Sequence, residues 1–199
     1  MKKLGFTLIA AFALSSAQAL AVPFTETPDA GSTIGSAQDI AGTNITTITG
    51  STGSGDTEDL FSFSWGGGLF EAATNGLFSS DRSFDTMLFL FDGAGNFIVG
   101  NDDSGSLGSY ISDTLVAGDY LLGISGFANE AEDGAGDGFL FEGGSGALAG
   151  WEGGGGTGTY TIGIGGRGVD SPTNVPEPAP LALLVLGLTA IGLAKRKHS

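Results

Sequence analysis

The stretch Thr86-Met87-Leu88-Phe89-Leu90-Phe91-Asp92-Gly93-Ala94-Gly95-Asn96-Phe97-Ile98-Val99 decides the fold. Met87, Phe89 and Phe91 alternate with Leu88 and Leu90, so both faces of the first run are apolar, as in a central strand covered from two sides. Asp92 to Asn96 holds the residue types that reverse a chain, and an apolar run resumes at Phe97, which predicts a hairpin. Upstream, Ile45-Thr46-Thr47-Ile48-Thr49 is β-branched throughout and suits a pleated surface. Leu60 to Trp65 sets Phe61, Phe63 and Trp65 on one face against Ser62 and Ser64 on the other, the pattern of a half-buried strand. Gly66-Gly67-Gly68 reads as its end. Downstream, Tyr110-Ile111 and Thr114-Leu115-Val116 are short strand segments. Ala117-Gly118-Asp119 reads as a turn into Tyr120 to Phe127, and Thr159 to Ile164 alternates again. No segment of the body sustains a 3.6-residue apolar period over three turns. Short strands at intervals of about 8–12 residues with turn signals between them predict an all-β protein, a sandwich or barrel.

Composition narrows the chemistry. Between Val22 and Val175 there are 21 Asp and Glu against Arg82 and Arg167, a net charge of −19, with no Lys, His or Cys. Such a body repels nucleic acid and anionic lipid headgroups, and its charge serves either to attract cations or simply to keep it soluble. Without Cys or His it assembles neither a Ser-His-Asp or Cys-His nucleophile nor a zinc site of His and Cys ligands. Carboxylate-pair hydrolysis is the common acid–base chemistry left open. No disulfide braces the fold, so core burial, with or without metal ions, must do so.

The same strands carry a resemblance. Ala37-Gln38-Asp39, Asp59-Leu60-Phe61-Ser62-Phe63, Phe84-Asp85-Thr86 through Phe91-Asp92, Gly95, Asn101-Asp102-Asp103, Ile111, Leu115 and Ala117-Gly118-Asp119-Tyr120 together resemble the bacterial pre-peptidase C-terminal (PPC) domain over residues 36–164. The resemblance implies a compact antiparallel β-sandwich of jelly-roll type. It also implies an accessory module of secreted proteins, in some cases cation-stabilised or matrix-binding, and not itself an enzyme. The chain departs from that pattern at residues 129–158, an acidic, glycine-dense insertion expected to be flexible. Within it, Phe139-Leu140-Phe141 and Trp151 are the side chains able to dock.

Both ends read as addresses. Lys2 and Lys3, an apolar run from Leu4 to Leu14, and Ala17-Gln18-Ala19 or Ala19-Leu20-Ala21 make residues 1–21 a signal peptide. Residues 22–35 form a loose lead-in and 165–174 a linker. Residues 175–199 have three parts: Val175-Pro176-Glu177-Pro178-Ala179-Pro180, an apolar helix over 181–194, and the basic end Lys195-Arg196-Lys197. Proline keeps the first part extended and accessible. Sixteen residues from Ala179 give roughly 24 Å of helix at ~1.5 Å per residue, marginal against a hydrocarbon core of ~30 Å. The cations hold its end on the cytoplasmic side. Pro176, Glu177 and Pro178, followed by the helix and the basic end, resemble the PEP-CTERM sorting signal of Gram-negative bacteria that make extracellular polysaccharide. That resemblance implies an exosortase-type processing enzyme as partner, a transient inner-membrane anchor, and delivery to the cell envelope or the exopolysaccharide matrix. An ordinary single-span anchor after a proline-rich stalk is the plainer alternative.

Three groups of residues are candidates for chemistry. Asp85, Asp92, Asn101, Asp102 and Asp103, with Asn96, offer hard oxygen ligands on two consecutive turns, the donor type that Ca²⁺ takes. Asp and Asn also cap turns, so the same residues fit a purely structural part. Asp56, Glu58 and Asp59 read as a solvated acidic loop. Trp151, in a glycine-dense stretch, is the aromatic placed to stack on a sugar, whereas Phe61, Phe63, Trp65, Phe89 and Phe91 read as core. The chain is therefore expected to be an exported, non-enzymatic β-sandwich, with a carbohydrate- or protein-binding matrix module as the alternative and a carboxylate-dependent hydrolase behind it.

Overall fold

The computed structural model describes residues 22–40 and 44–168. The signal peptide, the end of the linker and the whole of residues 175–199, including Pro176, Glu177 and Pro178, lie outside them. In chain order the strands are β1 (Val22–Thr25), β2 (Gln38–Asp39), β3 (Ile45–Ser51), β4 (Glu58–Ala73), β5 (Asp81–Arg82), β6 (Thr86–Asp92), β7 (Phe97–Asn101), β8 (Tyr110–Gly126), β9 (Ala131–Glu132), β10 (Gly150–Trp151) and β11 (Thr159–Gly168). A single 3-10 turn, Leu77–Ser79, lies between β4 and β5. Among the described residues the protein is all-β, and no helix is long and apolar enough to cross a membrane.

The architecture rests on β4 and β8, which pair antiparallel from Glu58↔Ser125 to Ala73↔Tyr110. The first half of β4 and the second half of β8 lie in one layer, where β8 continues to β6 and β6 to β7. The second half of β4 lies in the other layer, pairing β11, which in turn pairs β3 and β5. Leu88, Leu90, Leu122 and Phe61 from the first layer share one buried cluster with Ile48, Ala72, Ile111 and Ile162 from the second. That cluster is the interior of a β-sandwich. The pairings are antiparallel except for β1 with β3 and β2 with β4, which are parallel.

Here the reading of short segments is corrected. Gly66-Gly67-Gly68 does not end a strand, and Ala117-Gly118-Asp119 is not a turn. The two stretches lie opposite each other in one ladder, with Gly66↔Ala117 and Trp65↔Gly118. The inward-facing set passes there from Phe61, Phe63 and Trp65 to Phe70 and Ala72, so the ribbon turns a corner without losing its register. Gly67 and Gly68 have φ near +94° and +95°, a conformation costly for any residue with a Cβ. Further differences fall at the ends. Val22–Thr25 of the lead-in is a strand, and β11 runs to Gly168, so Gly165 to Gly168 pair with β4 instead of opening the linker.

The insertion is also ordered differently from its composition. Ala131, Phe139 and Leu148 are buried in a second cluster with Leu60, Met87, Phe89, Phe91 and Leu121. Residues 129–158 therefore cover the outer face of the β4–β8–β6 layer, which explains why β6 is apolar on both sides. Phe139 stacks on Phe97 at 4.8 Å between ring centroids and meets Phe91 at 5.7 Å. The acidic residues of the segment organise its turns. The buried Glu130 carboxylate accepts backbone N–H groups from Leu140 and Phe141, and Asp133 accepts from Ala135, Asp137 and Ser145. Polar satisfaction of the backbone, together with the three buried apolar anchors, offsets the entropy of a glycine-rich chain. Phe139→Ala should cost about 3–5 kcal/mol, read as a lowered midpoint in urea unfolding; a midpoint equal to wild type would mean that the segment does not cover the core.

Candidate metal centres

Two groups of carboxylates converge. The first is built by the β6–β7 hairpin. Because β7 runs antiparallel to β6, with Leu88↔Asn101, the chain after β7 returns to the start of β6. Asp102 and Asp103 are thereby brought to Asp85, with one carboxylate oxygen from each lying within 4.8 Å of the others. Asn101 holds the loop: its Oδ1 accepts the Tyr110 N–H at 2.9 Å, and its Nδ2 donates to the Asp103 carbonyl at 3.2 Å. Oδ1 of Asp85 and Oδ1 of Asp102 are buried without a hydrogen-bond partner. Burial, then the neighbouring Asp103 and Asp85, pushes Asp102 up to about 6. Asp85 is raised by burial and then by Asp103, with Arg82 opposing.

Asp92 is not in this group. It closes the hairpin at the other end of β6, on the order of 20 Å away along the strand at ~3.3 Å per residue. Its carboxylate accepts N–H groups from Ala94 and Asn96 and the Asn96 side chain at 2.8–2.9 Å. Those bonds to the charged form, led by the Asn96 amide, hold it below the ordinary carboxylate range. Asp92 and Asn96 are turn caps, and Asn101 positions the loop with side-chain atoms already engaged. Of the five residues singled out as metal ligands, Asp85, Asp102 and Asp103 are brought together.

The second group is Glu26, Asp29 and Asp59, again within 4.8 Å of one another. Here the acidic loop reading is corrected. Asp59 is the second residue of β4 and is fully buried. It shares the inward face of Phe61 and Phe63, so the alternation that marks Phe61, Phe63 and Trp65 already places it inside when continued back by two residues. Tyr160 donates its hydroxyl to Asp59 Oδ2 at 2.6 Å, while Oδ1 is buried and unpartnered. Glu26 follows β1 and is fixed from both sides: Oε1 accepts the Ala30 N–H at 2.6 Å and Oε2 the Ser51 N–H at 3.0 Å. Asp56 joins from the loop before β4, sharing a hydrogen bond with Asp29, and burial followed by that contact pushes it up to about 6. Burial pushes Asp59 up to about 8 against the Tyr160 bond. The Tyr160 hydroxyl is driven upward in turn by burial and the acidic neighbours.

Both groups have the donor set of a hard divalent cation: carboxylate oxygens, no nitrogen or sulfur, and orphaned buried oxygens that a cation would satisfy. Trp151 takes another part. Its ring stands edge-on to Phe89 at 5.5 Å, its Nε1–H donates to the Ser32 carbonyl at 2.8 Å, and it is half-buried against the second core cluster. Gly123 makes room for it, since a Cβ there would lie 2.9 Å from the ring. Trp151 is thus an anchor of the covering segment, and its ring borders a cleft rather than standing free on a loop.

No family model matches the chain, and neither does any curated protein. Among solved structures it is similar to the pre-peptidase C-terminal domain of a collagenase from Bacillus anthracis. The two share 16% identity with a TM-score of 0.41, over 65% of this chain and 94% of that domain.

The raised Asp59 carboxyl fixes a pH dependence. Without a cation the folded state holds a proton that the unfolded chain has released above its ordinary value near 3.8. Stability from this group is therefore present below about pH 4 and is lost as pH rises towards about 8. In chelator, the melting temperature should fall between pH 5 and 8, and Asp59→Asn should flatten that fall. An unchanged slope in Asp59→Asn would show that Asp59 is not the group responsible.

Proposed function

We propose that this chain is an exported, non-enzymatic β-sandwich of the PPC kind, jelly-roll in type and braced by divalent cations, calcium being the best fit to all-oxygen sites. The observation that carries the bracing is the fully buried Asp59, which has one oxygen without a hydrogen-bond partner and lies within reach of the Glu26 and Asp29 carboxylates. A cation there ties the lead-in to β4. A second cation at Asp85, Asp102 and Asp103 ties the end of β7 to the start of β6. This suits a body that has neither cysteine nor lysine with which to neutralise or staple itself. The absence of His, Cys and Lys from the body likewise favours a non-catalytic part.

Delivery is the work of the ends. In this reading the signal peptide exports the chain. The apolar helix of 181–194 with its basic end retains it in the inner membrane, and an exosortase-type enzyme processes the tail near Pro176-Glu177-Pro178. The body then passes to the envelope or extracellular polysaccharide matrix. What supports this is the order of proline-rich, apolar and basic parts. A matrix-binding module is the second reading, favoured by the cleft beside Trp151.

Calcium at ~100 times its dissociation constant should add about 2.7 kcal/mol per site, roughly 5–10 °C in melting temperature for a body of this size. Asp59→Asn and Asp102→Asn should each remove part of that rise; equal melting temperatures in excess calcium and in chelator would sink the bracing. Mass spectrometry of the protein recovered from its native host should find residues 181–199 gone. A mature chain that keeps them would make the tail an ordinary anchor.

A further inference from the structure

A cleft of about 220 Å³ opens between the lead-in and the covering segment, walled by Ser32, Thr33, Ile34, Glu58, Leu148 and Trp151. It is far larger than the roughly 10–15 Å³ that a single water needs. The Trp151 wall is held rigid: Ser32 accepts its indole N–H, and Phe89 supports the ring edge-on. Leu148 is buried and Ile34 stands 38% exposed, so the walls also present aliphatic surface. Glu58 brings a carboxylate. Its Oε2 accepts the Asn129 amide at 2.8 Å and the Thr57 hydroxyl at 2.5 Å, and among the described residues no hydrogen bond reaches Oε1.

An aromatic wall, an aliphatic wall and an open carboxylate oxygen make a receptor for a cation on a short apolar stem. The ring quadrupole and the carboxylate both attract the positive head, and the aliphatic groups cover the stem. The field of the body works in the same direction, since 21 acidic side chains face two arginines. We infer that the cleft between Ile34 and Trp151 binds a protonated alkylamine or alkylguanidinium group, carried by a basic side chain of a partner protein or by a free amine. This site is separate from both metal centres and does not rest on the sorting signal.

The test uses the full chain in saturating calcium, with tryptophan fluorescence and calorimetry as readouts. The probes are n-butylammonium, a short lysine-containing peptide and a linear diamine, with n-butanol and glucose as neutral controls. Saturable binding of the ammonium probes, weakened by added salt and at least about tenfold tighter than butanol, is the expected result. Glu58→Gln should weaken it by about tenfold. Should that variant lose its fold with the Asn129 bond, Ala149→Lys is the second test. Ala149 is exposed at the rim of the cleft, and a lysine there should block the ammonium probes while the melting temperature stays at the wild-type value. Tighter binding of the peptide than of the diamine identifies a protein source, and the reverse a free amine. Equal binding of butanol and butylammonium, preference for glucose, or full binding by a folded Ala149→Lys protein would overturn the proposal.

Discussion

The antiparallel ladder between β4 and β8 is the constraint on which everything else depends. It is long enough to pass through both layers of the sandwich, and each layer is completed by what adds to one of its ends: β6 and β7 on one side, β11 and β3 on the other. A ladder of this length can serve two layers only if it bends without slipping, because a one-residue slip would turn every inward side chain outward. The glycines at 67 and 68 take the left-handed backbone that the bend requires, while pairing resumes in the same register beyond them. The Tyr120 hydroxyl, donating to the Val116 carbonyl at 2.8 Å, ties the opposite strand at the same corner.

The acidic character of the body follows a division of labour. Asp92 spends its charge on the Asn96 side-chain amide and then on backbone N–H groups, and Asp133 on backbone N–H groups, and for that reason both are held below the ordinary carboxylate range. Glu130 does similar service while buried. Asp59 and Asp102 are different: each keeps an oxygen that nothing in the described chain satisfies, and each is pushed upward by burial. A carboxylate accepting several N–H bonds is content as an anion, whereas one desolvated among other carboxylates is not. That contrast separates turn caps from the candidate metal ligands of the proposed function within a single acidic composition. Under the proposed function, cations would bind at two points, and the remaining charge contributes to the field around the cleft.

Much was legible from residues alone. The alternation of Phe61, Phe63 and Trp65, the doubly apolar β6 and the hairpin at Asp92 to Asn96 specify an all-β sandwich, because side-chain period and turn chemistry are local properties. The convergence of Asp85 with Asp102 and Asp103 was half legible, since a hairpin brings its two ends together whatever surrounds it. Composition by itself also determined the charge of the body and the lack of His, Cys and Lys, and with these the chemistries that are closed to it.

Only the tertiary structure decided the rest. Three consecutive glycines read as a stop because nothing local distinguishes a break from a bend; the facing strand makes it a bend by continuing to pair. A glycine-rich segment reads as flexible because its entropy is local, whereas Phe139, Leu148 and Trp151 are ordered by an apolar face contributed by strands far away in the chain. Glu26 and Asp59 are 33 residues apart, and their meeting depends on a parallel pairing of β1 with β3 that no turn signal announces. Sequence thus determined which side chains could bind a cation or fill a core. Long-range pairing determined which of them meet, because strand partners are chosen by burial across the whole sheet and not by neighbours along the chain.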